Sequence, residues 1–131
     1  MMPKLFLLSF FSFNLLFSAQ VTFIVDMSNQ AVVSGDGDYP AVYVSGGNLN
    51  GPSGIEMTEG EDNLWTLTTT LNPGNYTYKF RNGHFPNSWQ GGWEDVEGNC
   101  GFGEHNNRLL SVGSADTVLT AQCFGDCLTC E

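Results

Sequence analysis

Positive charge is nearly missing from this sequence. Four Lys and Arg stand against 14 Asp and Glu, which gives the 131-residue chain a formal net charge of −10. Phosphate backbones and anionic bilayer surfaces are held by clustered cations, and no basic patch exists here. Nucleic acid and membrane insertion are therefore excluded from the expected partners. Long apolar runs are missing too. The longest, at 5–17, is interrupted by Ser9, Ser12 and Asn14, and it falls short of the ~20 residues that a bilayer span needs. Beyond it, no segment has helical periodicity or a helix-capping pattern. Catalytic signatures are also lacking: His84 and His105 accompany no G-x-S-x-G or H-E-x-x-H pattern and read as solvated loop residues. Glu94, Asp95, Glu97 and Glu104 lie close in sequence, as composition alone makes common in so acidic a chain. So short a chain leaves little room for both a core and an enclosed catalytic cleft, and the expectation is a non-catalytic protein.

What is present begins with Lys4, an apolar run and then small residues, the pattern of a secretory signal peptide over 1–19 with cleavage after Ala19. Residues 20–131 then form one secreted or cell-surface domain. All four cysteines (Cys100, Cys123, Cys127 and Cys130) fall in its last third. An even number in a short exported chain reads as two disulfides, and four cysteines allow three pairings. Cys100 is expected to bond Cys123 or Cys127, with 124–131 as a cysteine-rich tail. A zinc site would need a second paired element beside the C-x-x-C at 127–130, and none exists.

The body of the chain reads as strands. VTFIVDM (21–27), AVYVSGG (41–47), NLWTLTTTL (63–71), NYTYKFRN (75–82), RLLSV (108–112) and DTVLTAQCF (116–124) alternate apolar with polar residues and are rich in β-branched and aromatic side chains. The alternation sends Trp65 to the core. Pro73 presets φ and Gly74 accepts a positive φ, so 64–71 and 75–82 are expected to form a hairpin. Such short runs predict an all-β, immunoglobulin-like antiparallel sandwich of about seven strands.

One long segment breaks the pattern. PNSWQGGWEDVEGNCGFGEHNNR (86–108) carries two tryptophans and several glycines but no periodicity. Disordered segments are poor in aromatics, so an ordered loop is expected. Its rings could fold back as a lid on the core. Phe85, Trp89, Trp93 and Phe102 could instead stack on the C–H face of a pyranose ring, with neighbouring polar groups holding its hydroxyls. Two acidic turns, SGDGDYP (34–40) and TEGEDN (58–63), offer oxygen ligands without the spacing of a calcium loop. They read as solvated turns, with calcium as the alternative cofactor. NYT (75–77) is a glycosylation sequon.

The order AVYVSGG, then LWTLTTTLNPGNYTYKFRNG, then NNRLLSV resembles the starch-binding and glycogen-binding modules of carbohydrate-binding families 20 and 48. VTFIVDMSN at the start and CFGDC near the end are similar to a variant in secreted bacterial proteins. The resemblance covers most of 21–125 and implies a β-sandwich that binds a neutral α- or β-glucan. It makes Lys79 of YKF a sugar-contacting lysine, Phe102 a replacement for one stacking tryptophan, and Asn107, with Arg108 beside it, the asparagine of the D-P-N-R motif. GGNLNGPSG (46–54) lacks the second stacking tryptophan of those families, a place that Trp89 or Trp93 would fill. The other class in view is an extracellular structural or adhesive protein that assembles with protein partners.

Overall fold

The computed structural model describes residues 17–96 and 98–131. Two sheets pack face to face, with no helix among the described residues. The first sheet is built on β1 (Ala19–Asp26). On one side β1 pairs antiparallel with β5 (Leu64–Leu71), which carries the two-residue β4 (Thr58–Glu59) at its edge. On the other side, β8 (Thr117–Val118) and β9 (Gln122–Cys123) run parallel to β1. The second sheet is antiparallel in the order β3 (Gly51–Glu56), β2 (Val42–Gly46), β6 (Gly74–Asn82), β7 (Arg108–Val112).

Period-2 alternation explains the layering. Val21, Phe23 and Val25 of β1, Val42 and Val44 of β2, and Tyr78 and Phe80 of β6 all point into one core. Phe23 meets Tyr78 edge-on across the two sheets, with ring centroids 5.0 Å apart, a favoured aromatic geometry. The outward face of the first sheet is wet and threonine-rich, and the Thr22 and Thr68 hydroxyls hydrogen-bond at 2.8 Å.

Three expectations change. β5 and β6 do not form a hairpin: β5 pairs with β1 and β6 with β2 and β7, so Pro73–Gly74 turns the chain from one sheet to the other. Both strands carry an apolar face, and crossing between sheets lets Trp65 and Phe80 share the core. The run at 116–124 is split into β8 and β9, and both lie parallel to β1, so the first sheet is mixed. Finally, β3 arises from GPSGIE, where glycine and proline conceal the strand pattern, and β4 from TE, which is too short to show one. Of the expected signal segment, residues 1–16 lie outside the described residues, and Ala19 is the fully buried first residue of β1.

Candidate functional site

The long loop is laid over the outer face of the second sheet. Its anchor is Arg81, which alternation places on that face with Lys79 and Thr77. Folding of the loop leaves Arg81 only 1% exposed. Its guanidinium donates to the carbonyls of Gly91 (2.8 Å), Gln90 (2.7 Å), Phe85 (3.1 Å) and Pro52 (2.7 Å). It also lies 4.9 Å from the Phe85 ring centroid and 4.1 Å from that of Trp93. Burial lowers the pKa of Arg81 from its ordinary value, an effect that Asp36 opposes. Trp93 passes the support outward: it stacks on Trp89 at 6.0 Å and 18° and donates its Nε1–H to the Trp89 carbonyl at 3.0 Å. Trp89, at the top, is 61% exposed.

The backbone after Trp89 rejoins the sheet. The Asn82 N–H donates to the Gly92 carbonyl at 2.7 Å, and the Glu94 N–H donates to that of Phe80 at 3.2 Å, so 92–94 cover the part of β6 that β7 does not reach. Gly92 has φ +73°, and a Cβ there would stand 2.4 Å from the Asn82 oxygen and 2.6 Å from the Phe85 ring. Close approach therefore requires glycine at this point.

Glu94 and Arg108 close the next stretch. Arg108 Nε and Nη2 donate to the two Glu94 carboxylate oxygens at 2.9 Å each. Those oxygens also accept the Phe80 and Gly125 N–H groups at 2.8 and 2.9 Å. Arg108 further donates to the Gln122 side chain and to the Asp126 carbonyl. A buried ion pair persists when its remaining donors and acceptors are satisfied in this way. Two disulfides, Cys100–Cys127 and Cys123–Cys130, hold the C-terminal tail against this pair. The first selects one of the two expected partners of Cys100. The loop then ends in a tight turn, closed by mutual Phe102–Asn107 backbone hydrogen bonds of 2.8 and 2.9 Å, with His105 at its tip.

Between the Trp89–Trp93 stack and this turn lies a cleft of about 510 Å³. Its floor is the outer face of β2 and β6, contributed by Ser45, Gly46, Thr77 and Lys79, and Asn107 and His105 form the opposite wall. A Cβ on Gly46 would stand 2.4 Å from the Thr77 backbone oxygen, so the close approach of β2 to β6 there requires glycine. Lys79 Nζ donates to the Glu94 carbonyl at 3.1 Å. Ser45 Oγ is buried and has no hydrogen-bond partner among the described residues.

Of the seven residues expected to bind ligand, Lys79, Trp89, Trp93 and Asn107 converge on this cleft. The other three are placed elsewhere. Arg108 sits opposite Tyr78 in the β6–β7 register and so faces the core; it is 2% exposed and its donors are spent on Glu94 and the tail. Phe85 is half-buried beneath Arg81, where it supports the stack. Phe102 is 55% exposed but does not line the cleft. Arg81 was not among the expected residues, although its place in the polar row of NYTYKFRN marked the covered face. Among the described residues, no group of three or more His, Cys, Asp or Glu gathers as a metal site. Compared with protein-family models and with curated proteins, the chain matches none.

Proposed function

We propose that this is a secreted, non-catalytic carbohydrate-binding domain that holds a glycan in the cleft between Trp89 and Asn107. The observation that carries this is the braced tryptophan: an exposed indole supported by Trp93 and Arg81, beside Lys79 and Asn107. A sugar's C–H face stacks on such a ring while lysine and amide groups hold its hydroxyls. The two indoles lie one upon the other, so they offer one stacking face rather than two side by side. Binding is accordingly weak, with a Kd of about 0.1 mM or higher, since a shallow surface must offset the freedom lost on association. The two disulfides are of the kind that persists in oxidising compartments. A glycan array probed with wild type and Trp89→Ala tests the assignment. About tenfold weaker binding in the variant is expected from loss of one aromatic contact; equal retention of both rejects it.

A second reading rests on β7, which ends its sheet and carries Leu109 at 55% exposure. An open edge with an apolar side chain suits assembly with an extracellular protein partner. Light scattering of the purified protein over a range of concentrations tests for self-association.

A further inference from the structure

The cleft differs in charge from the protein around it. The chain carries 14 Asp and Glu, yet none of the described residues lining the cleft is acidic. The cations of the described domain are Lys79, Arg81 and Arg108, and they have different fates. Arg108 is neutralised by Glu94, and Arg81 is enclosed by carbonyls and rings. Lys79 alone faces the cleft, and among the described residues no carboxylate pairs with it.

A lysine ammonium has three N–H donors, and Lys79 gives one to the Glu94 carbonyl. The others are left for a ligand. Thr77 and Asn107 supply neutral polar groups nearby, and His105 approaches from the opposite wall. Among the described acids of the loop, none forms an ion pair with Lys79. Glu94 is saturated by Arg108, Phe80 and Gly125; Asp95 accepts from Asn106; Glu104 lies beside His105 on the exposed turn. A half-buried cation that no carboxylate pairs with among the described residues, next to a sugar-sized stacking face, is best matched by a sugar with a negative group. A carboxylate or sulfate there adds the attraction of opposite charges to the hydrogen bond that the ammonium would give a hydroxyl.

We propose that the cleft takes a glycan bearing an anionic group, a uronate carboxylate or a sulfate ester, with Lys79 as its ion partner and Trp89 beneath the ring. This rests on the carbohydrate-binding assignment above and departs from the neutral glucan that the sequence resemblance implies. Distant acids do not cancel the local attraction at physiological salt, where the Debye length is about 8 Å. They do penalise a long polyanion at low ionic strength, so short oligosaccharides at physiological salt are the appropriate ligands.

Calorimetric titration of the purified protein with galacturonic acid tetrasaccharide, a sulfated galactose tetrasaccharide and maltotetraose separates the possibilities. One charged ligand should bind about tenfold tighter than maltotetraose, and which one does so distinguishes carboxylate from sulfate. Lys79→Gln should bring that preference to within about twofold, and Lys79→Arg should keep it. If Lys79→Gln fails to fold, loss of the wild-type preference in high salt serves in its place. Tighter binding of maltotetraose, or a charge preference that survives both Lys79→Gln and high salt, overturns the inference and leaves carbohydrate binding standing. Failure of all three sugars, with no hit on the glycan array, removes both.

Discussion

The guanidinium carbon of Arg81 lies 4.1 Å from the ring centroid of Trp93, and the same group donates to three backbone carbonyls of the long loop and its approach and to one of β3. One side chain thus sets both the path of the loop and the height of the tryptophan stack. Arg81→Met should cost about 2–4 kcal/mol, from lost charge-assisted hydrogen bonds and cation–π contact. It should also reduce the near-ultraviolet circular dichroism of the Trp89–Trp93 pair. Urea denaturation with near-ultraviolet spectra checks both, and Arg81→Lys should recover only part, because an ammonium cannot reach the same carbonyls.

Glu94 and Arg108 pair beneath the loop, away from the cleft. Glu94→Gln should destabilise the fold by about 3–5 kcal/mol, because Arg108 is left buried with its charge uncompensated. Adding Arg108→Met to that variant should restore part of the loss. Denaturation midpoints of the single and double variants measure the coupling.

The disulfides should contribute unequally. Cys100–Cys127 closes 27 residues and Cys123–Cys130 closes 7. The chain-entropy relation gives about 3.6 kcal/mol for the longer link and about 2.4 kcal/mol for the shorter. Paired serine variants, compared by thermal unfolding, should show the larger fall for Cys100/Cys127 and looser hydrogen-exchange protection over 95–107.

Tyr78 gives the fold an alkaline limit. Burial is the main cause that raises its pKa to about 12, with Glu94 raising it further and Arg108 opposing. The folded state thus favours the neutral phenol. The stabilisation is complete below the unfolded value of about 10 and is lost as pH rises through about 12, on the order of 2 kcal/mol in all. Stability measured between pH 9 and 12 should fall in wild type, and the fall should be smaller in Tyr78→Phe.

The strands and the site were legible in the sequence to different depths. Alternation in VTFIVDM and NYTYKFRN foretold which residues enter the core, because period 2 is dictated locally. It did not reveal that β5 and β6 belong to different sheets, since strand pairing is a contest among distant segments that a Pro-Gly turn alone does not decide. Trp89 and Trp93 were recognisable by chemical type, Lys79 and Asn107 through the family resemblance, and the four do converge. Arg108 was expected to bind ligand beside Asn107, yet Arg108, Leu110 and Val112 alternate as buried residues and its parity placed it inward. The role of Arg81 was hidden for a physical reason: a cation on the polar face of a strand is normally solvated, and only the fold of a distant loop buries it.

The cleft is tested most directly by following the indole N–H signals of Trp65, Trp89 and Trp93 in ¹H–¹⁵N spectra. The titrants are galacturonic acid tetrasaccharide, the sulfated galactose tetrasaccharide and maltotetraose. The expected result is a saturable shift of the Trp89 indole and of the Lys79 and Asn107 amides with a charged sugar, while the core indole of Trp65, 5% exposed, stays fixed. Shifts confined to the β7 edge around Leu109, or an unmoved Trp89 with every sugar, would contradict a glycan-binding cleft.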